Sequence, residues 1–572
     1  MPMMVPGTTY SSAAAAAIFF ISSCVMRVLQ IGIAFDNTRA VRRCHWRRPA
    51  SGGLWASRKR PATVHGMLDR YLHMIRNARV YDVAVESPLE FAERLSRRCG
   101  NRIWMKREEL QPVHSFKLRG AYNKITALPE SERARGVIAA SAGNHAQGVA
   151  LAARRLDIRA LIVMPRTTPS IKVESVRDYG AHIKLVGDTY DEAYQFAAQH
   201  AREKGMVFIH PYDDPEVIAG QGTIGLEVLR QHQSPLHAVF VPVGGGGLIA
   251  GIALAVKALR PETRIIGVEP DEAPCLFQAL QHGRRIKLPQ VGIFADGVAV
   301  RQAGKEPFRI ARKYVDEVMT VTTDEICAAM KDIFDDCRAV VEPAGALAVA
   351  GIKKYIEVNG VNDVAMVAIN SGSNINFDRL RHVAERAQIG EQREALLAVT
   401  IPEQPGSFRR FCRAIGKRGI TEFNYRFADP RQAHVFAGVQ LQDGDSERHA
   451  LVAELRAQGY PVEDLTDSEI AKLHVRHMVG GRVPGLKNEL LFRFQFPERP
   501  GALLQFLSSM GRRWNISLFH YRNHGADYGR VLVGIQVPRE SRKDFRDSLE
   551  KLGYVYWEET NCPAYKLFLG ND

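Results

Sequence analysis

The chain has 572 residues, 46% hydrophobic and 24% charged, which is too long for one core and too apolar for a disordered chain, so two to four domains are expected. Its formal net charge of +15 invites a nucleic-acid reading, but residues 1–66 hold nine Arg or Lys against one acid, Asp36, a surplus of 9 − 1 = 8 that leaves 15 − 8 = +7 for the rest. No basic stripe interleaved with aromatics follows, and the eight cysteines (24, 44, 99, 275, 327, 337, 412, 562) form no Cys-x-x-Cys and no paired-His spacing; this argues against a nucleic-acid footprint, a disulfide framework and a zinc site.

Residues 13–35 are largely apolar, but Arg27 interrupts them and Arg42-Arg43 and Arg47-Arg48 follow. That pattern fits neither a membrane span of about 20 residues nor a signal peptide with its basic residues first. An Arg-rich organelle transit peptide and a spurious upstream extension with Met67 as the start both stay open. We favour the second, with residues 1–66 disordered and the protein cytoplasmic; a genuine transit peptide would place it in an organelle.

A helical segment follows Met67, and residues 102–106 (Arg-Ile-Trp-Met-Lys) read as a strand. Next comes His114-Ser115-Phe116-Lys117-Leu118-Arg119-Gly120, with Lys117 between an aromatic and an aliphatic neighbour. An amine in an apolar wall loses hydration, its ammonium form is disfavoured, and the free amine can attack a carbonyl. A surface lysine whose stem packs on Phe116 is the bland alternative.

Strand-like runs at 136–140, 160–164, 182–186, 206–210, 238–243, 264–268 and 364–369 alternate with Ala-rich helical stretches, as in parallel sheets covered on both faces by helices. Ser141-Ala142-Gly143-Asn144-His145 falls between the first of these strands and a helix, where parallel sheets place ligands. Its amides suit a substrate carboxylate, and Asn144 a phenolic oxygen. Gly244-Gly245-Gly246-Gly247 ends a buried strand and opens a helix, forming a nest for an anion such as a phosphate. A rival reading exists here: Gly245-x-Gly247-x-x-Ala250 also satisfies a dinucleotide fingerprint, and Glu269 falls 24 residues on, where a ribose-binding acid would sit. Ser371-Gly372-Ser373-Asn374 ends the last core strand, with the Ser371 hydroxyl free to face a ring nitrogen. Singly each motif reads as a turn or cap. Together they supply an amine, an anion cradle and a hydroxyl, the parts that hold a phosphorylated pyridine aldehyde.

From about residue 395 the texture changes. Pro402-Glu403-Gln404-Pro405-Gly406-Ser407-Phe408 is echoed 95 residues later by Pro497-Glu498-Arg499-Pro500-Gly501-Ala502-Leu503, and Asn424-Tyr425-Arg426 is echoed 96 later by His520-Tyr521-Arg522. Two copies of a βαββαβ unit are expected. We divide the chain into a leader (1–66), an α/β catalytic domain (67–394) and two α+β modules (395–480 and 489–572).

Ser-Phe-Lys-Leu-Arg-Gly, Ser-Ala-Gly-Asn-His-Ala-Gln-Gly (141–148), Val-Pro-Val-Gly-Gly-Gly-Gly-Leu (241–248) and Ser-Gly-Ser-Asn resemble the fold-type II pyridoxal-phosphate enzymes. With its paired tail, the chain from Met67 onward resembles the long biosynthetic threonine ammonia-lyases with ACT-like regulatory domains. That resemblance implies pyridoxal 5'-phosphate in Schiff-base linkage to Lys117, Phe116 packed near its ring, Asn144 at the ring hydroxyl, Gly244, Gly245, Gly246 and Gly247 with Leu248 around the phosphate, and Ser371 at the pyridine nitrogen. It implies conversion of L-threonine to 2-oxobutanoate and ammonia, the first step of isoleucine biosynthesis, in a tetramer inhibited by isoleucine with valine as antagonist. Tyr425, Arg426, Tyr521 and Arg522 are candidate effector contacts, an arginine there being suited to a carboxylate. Some relatives bind a divalent cation with an acid at the place of Glu269 and a later Asp; Cys275 stands at that later place, so no metal is expected. A serine dehydratase or racemase of the same fold, a cofactor-free amino-acid sensor and a nucleotide-binding oxidoreductase are the alternatives.

Overall fold

Runs of Val, Ile and Ala build two parallel sheets in the first two thirds of the chain. The computed structural model describes residues 62–572 except 293, 479, 498–501, 511–512, 523–527 and 570–572, so the expectations for residues 1–61 lie outside the described residues. The first described element is a helix, Ala62–Arg76, which runs through Met67.

The chain enters a first sheet with β1 (Leu89–Phe91) and β2 (Arg102–Arg107), then leaves to build a second from β3 (Val137–Ala140), β4 (Ala160–Met164), β5 (His182–Leu185) and β6 (Val207–Phe208). It returns to the first with β7 (Ala238–Pro242), β8 (Arg264–Pro270), β9 (Glu317–Val321) and β10 (Ala365–Asn370). The orders are β1-β2-β10-β7-β8-β9 and β5-β4-β3-β6, all parallel except the β1–β2 pair. Central β7 and β10 are buried at every residue, as strands covered on both faces must be, whereas β5 at a sheet edge keeps His182 and Lys184. The strand expected at 206–210 shrinks to Val207–Phe208. Ile209 makes one further bond to Ile138, and Pro211, which has no N–H to give, closes the ladder.

The tail is one antiparallel sheet of eight strands. Its first copy supplies β11 (Glu394–Pro402), β12 (Ile420–Arg426), β13 (Gln432–Gln440) and β14 (Val462–Asp464); the second supplies β15 (Glu489–Pro497), β16 (Asn515–Arg522), β17 (Tyr528–Gln536) and β18 (Val555–Glu558). The order β14-β11-β13-β12-β16-β17-β15-β18 joins the copies through β12 and β16, with Phe423 opposite Tyr521 and Tyr425 opposite Phe519. Both copies carry a bulge at the same place, between Ile420 and Glu422 and between Ile516 and Leu518, so the repeat persists in backbone detail. One core, with Phe408, Phe423, Phe506 and Phe519 among its members, runs through both.

The segment between the copies docks on the helices of the catalytic part. Arg386 pairs with Asp324 and, through both terminal nitrogens, with Glu469 at 2.9 and 2.7 Å, while Lys472 bridges the same two acids at 2.7 and 3.1 Å.

Candidate active site

Three of the four motifs leave the carboxyl ends of parallel strands: Ser141 follows β3, Gly244 lies two residues beyond β7, and Ser371 follows β10. The fourth, around Lys117, opens the helix Lys117–Thr126. It is tied to the third by a bridge between Ser115 and Gly372 and by the Phe116 amide, which donates to the Ser371 carbonyl at 3.3 Å. Arg119 anchors that helix from beneath. Its guanidinium is fully buried between Glu108, at 2.8 Å, and Glu227, at 2.5 Å, and Lys106 meets Glu227 at 2.7 Å, so two acids and two bases close a neutral cluster.

Glycines let the backbones close up. A Cβ on Gly148 would come 3.0 Å from the Lys117 carbonyl carbon, and one on Gly220 would come 2.7 Å from the Arg119 oxygen. Lys117 is thereby walled in. Its amine donates to the Pro211 carbonyl at 3.3 Å and lies 5.2 Å from the centre of the Phe116 ring. Desolvation lowers its pKa to about 8, against the opposing pull of the Glu342 charge, so a useful share of free amine exists near neutral pH.

The glycine loop is packed as well as flexible. A Cβ on Gly245 would strike the Tyr212 ring at 2.3 Å, Gly247 is pressed to the Tyr212 backbone, and Gly246, at φ +92°, precedes the helix Gly247–Leu259. Among the described residues, the amides of Gly244, Gly245, Gly246, Gly247 and Leu248 have no protein acceptor. Five such donors at a helix start suit a dianionic phosphate.

The loop from Ser141 to His145 has a different character. The Ser141 amide bonds the Val163 carbonyl and the Gly143 amide bonds the Ser141 hydroxyl, while the amides of Ala142, Asn144 and His145 have no protein acceptor among the described residues. A Cβ on Gly143 would meet nothing within 4 Å, so this loop borders open space. The His145 side chain is turned away from it. Its buried Nε2 donates to the Ile209 carbonyl at 2.8 Å, and burial, reinforced by the Lys117 charge, pushes its pKa down to about 3, so the ring is neutral.

Ser371 is buried and its hydroxyl donates to the Ala344 carbonyl at 3.3 Å, a long bond that a ring nitrogen could replace. Asn144 is held at both ends, Nδ2 donating to Glu342 at 2.6 Å and Oδ1 accepting from Asn374 at 2.7 Å, with one N–H left over. An amine, five unpartnered amides, a spare amide donor and a hydroxyl, gathered at the carboxyl ends of the parallel strands, suit pyridoxal phosphate group by group.

Glu342 is the residue that sequence reasoning missed. An acid followed by Pro343 at a helix start reads as an ordinary cap. Its carboxyl makes no cap, however, and burial first, then the Asp296 charge, push its pKa up to about 7. Glu269 is closed to a ribose: its two oxygens accept the Leu276 and Phe277 amides at 2.9 and 2.7 Å, and it is fully buried. The dinucleotide reading loses its acid.

In the tail, Tyr425 is buried and donates to Glu403, which also accepts from Asn515 at 2.8 Å. Arg426 is engaged with Glu489 at 2.5 Å, the Leu569 carbonyl at 2.8 Å and the Gly481 carbonyl at 3.0 Å, so an effector carboxylate would first have to displace Glu489. Tyr521 is buried in the shared sheet, and the Arg522 side chain lies outside the described residues. A shallow groove opens between the copies, lined by Gln404, Gly406, Phe408 and Arg409 from the first and Leu507, Trp514 and Asn515 from the second.

Residues 81–372 match the family described as pyridoxal-phosphate dependent enzyme, and residues 385–475 and 480–569 match the C-terminal regulatory domain of threonine dehydratase. The chain is 55% identical over 502 residues to the biosynthetic L-threonine dehydratase of Burkholderia multivorans, covering 87% of this chain and 99% of that one. It is 52% identical over 499 residues to the Escherichia coli enzyme of the same name, covering 87% and 97%. Among solved structures, the processed threonine deaminase isoform 2 of Solanum lycopersicum matches with TM-score 0.56 and 49% identity over 57% of this chain and 89% of that one. The family matches, a doubled tail and identity above one half over most of the chain lead to one conclusion: the chain belongs to the biosynthetic threonine dehydratases, pyridoxal-phosphate-dependent lyases with a C-terminal regulatory domain.

Proposed function

We propose that this chain converts L-threonine to 2-oxobutanoate and ammonia, with pyridoxal phosphate held by Lys117, the 244–248 amides, Asn144 and Ser371 and flanked by Phe116. The observation that carries the reading is the Lys117 amine, which donates to the Pro211 carbonyl at 3.3 Å, next to Tyr212, the residue on which the glycine loop with its unpartnered amides is packed.

Bound pyridoxal phosphate supplies an electron sink for the pair left when the substrate's α-proton is removed. The remaining work belongs to the protein. The backbone amides of Ala142, Asn144 and His145, which have no protein acceptor among the described residues, orient the substrate carboxylate, leaving the Cα–H toward Lys117. The Lys117 amine takes that proton and, as ammonium, returns it to the departing β-hydroxyl, which leaves as water; the enamine that remains takes up water and gives the oxo acid and ammonia. Ser371 offers the ring nitrogen a neutral hydroxyl rather than a carboxylate, so that nitrogen is not forced to carry a proton. The weaker sink favours β-elimination over transamination.

Regulation belongs to the tail. We assign isoleucine as inhibitor and valine as antagonist, and the groove between the copies supports an amino-acid site with the apolar wall of Phe408, Leu507 and Trp514, which suits a branched aliphatic side chain. Residues 67–394, 395–480 and 489–572 serve as the functional units, in a cytoplasmic tetramer. Among the described residues no helix is long and apolar enough to cross a membrane. The test is Lys117→Ala: loss of both the bound cofactor's visible absorption and threonine turnover is expected, and a variant that keeps both removes the assignment.

A further inference from the structure

We propose that Glu342 is a positioning residue for the cofactor, its carboxylate fixing the Asn144 amide in one orientation and placing a negative charge that acts on Lys117. The proposal rests on reading the cleft as a pyridoxal-phosphate site.

Glu342 holds the N-cap position of the helix Pro343–Asn359, where an acid ordinarily accepts from amides of the first turn, yet its side chain makes no such bond. It is spent on Asn144 instead, accepting from Nδ2 at 2.6 Å. On the far side of that amide, Asn374 donates to Oδ1 at 2.7 Å and is itself pinned to the Val113 carbonyl at 2.9 Å. An amide with a carboxylate at its nitrogen and a donor at its oxygen has one acceptable orientation, because flipping it would set acceptor against acceptor and donor against donor. Asn144 therefore keeps a single N–H for a ring oxygen.

The carboxyl is enclosed. A Cβ on Gly372 or Gly297 would come 2.8 or 3.2 Å from Oε1, and the Glu342 amide is itself tied to the Gly372 carbonyl at 3.1 Å, one residue after Ser371. The charged groups that act on it are Lys117 from the helix Lys117–Thr126, Asp296 from the 296–298 turn, and Lys172, which pairs with Asp296 at 2.6 Å. An anion here favours the protonated form of nitrogen at Lys117, so the two titrations are coupled.

The experiment uses the holoenzyme and follows the cofactor's visible absorption against pH, beside cofactor affinity. Glu342→Gln keeps the shape and one acceptor for Asn144 but removes the charge; the spectroscopic midpoint is expected to fall by about half a pH unit or more. Glu342→Asp keeps the charge but cannot reach Asn144; it is expected to hold the wild-type midpoint while binding cofactor about tenfold more weakly. An unchanged midpoint in E342Q, or in E342D a shifted midpoint with wild-type affinity, overturns the proposal. A wild-type protein that stays colourless with saturating pyridoxal phosphate overturns the cofactor reading itself, and the role of Glu342 with it.

Discussion

The cleft and the tail each bring together segments far apart in sequence, but they differ in what they leave unsatisfied. Around Lys117 the structure leaves backbone donors at 244–248, Ala142, Asn144 and His145 without protein acceptors, and an amine with one long bond. In the tail the charges are matched internally: Arg426 to Glu489, Arg476 to Glu422 at 2.7 Å, and Tyr425 to Glu403. Buried polar groups are normally paired, so a cluster of unpaired ones marks a place where something else must bind, whereas paired ones mark architecture. By that criterion Arg426 holds the two copies together and the cleft does chemistry.

The largest effect that separates the regions is expected from Arg426→Ala. Arg426 and Glu489 are 9% and 6% exposed, and stranding a buried partner costs about 3–5 kcal/mol. Denaturant unfolding followed on the tail should show that loss. A variant of unchanged stability that only loses its isoleucine response would return Arg426 to the effector site and break the contrast.

Two glycines sharpen it within the cleft. Gly245→Ala drives a methyl into the Tyr212 ring, and overpacking of this kind costs about 1–3 kcal/mol, so stability and cofactor retention should fall together. Gly143→Ala meets no protein atom within 4 Å, so its stability should stay within about 0.5 kcal/mol of wild type while the threonine KM rises, because the methyl enters space meant for substrate. Equal thermal shifts in the two variants would contradict the distinction.

The smallest effect is in the pH dependence of the apoprotein. His145 and His210 are pushed down to about 3 and about 4, chiefly by burial, so both take up protons on unfolding below about 6.5 and stability falls with pH. Glu342 and Glu269, raised to about 7 by burial, release protons on unfolding above about 4.5, so stability rises as pH falls from 7 to 4.5 and offsets the histidines there. Below 4.5 the histidine effect is no longer offset and adds to that of carboxylates such as Glu447, which its Arg418 hydrogen bond holds down to about 2. Denaturation midpoints should be nearly flat between pH 6.5 and 4.5 and drop below it; a steady decline from pH 7 would contradict the raised carboxyls of Glu342 and Glu269.

Much of this was legible in the sequence, for reasons that differ by region. Continuous apolar strands such as β7 and β10 announce parallel sheets because burial on both faces leaves no polar side, while β9, with Glu317 and Thr320 among its five residues, lacks that signature and was not foreseen. The cleft motifs were legible because glycine is needed where backbones touch, as at Gly245 and Gly148. Glu342 was hidden behind its resemblance to a helix cap. The partner of Arg426 was hidden because Glu489 lies 63 residues away in the other copy, and only the pairing of β12 with β16 brings them together.

The central claim, that Lys117 holds the cofactor, is tested most directly by reducing the purified protein with borohydride in the presence of pyridoxal phosphate and mapping the modified peptide by mass spectrometry. The account predicts a pyridoxyl group on Lys117 alone, formed in the wild type and lost in Lys117→Ala. Stoichiometric modification at another lysine, with Lys117 untouched, would contradict it.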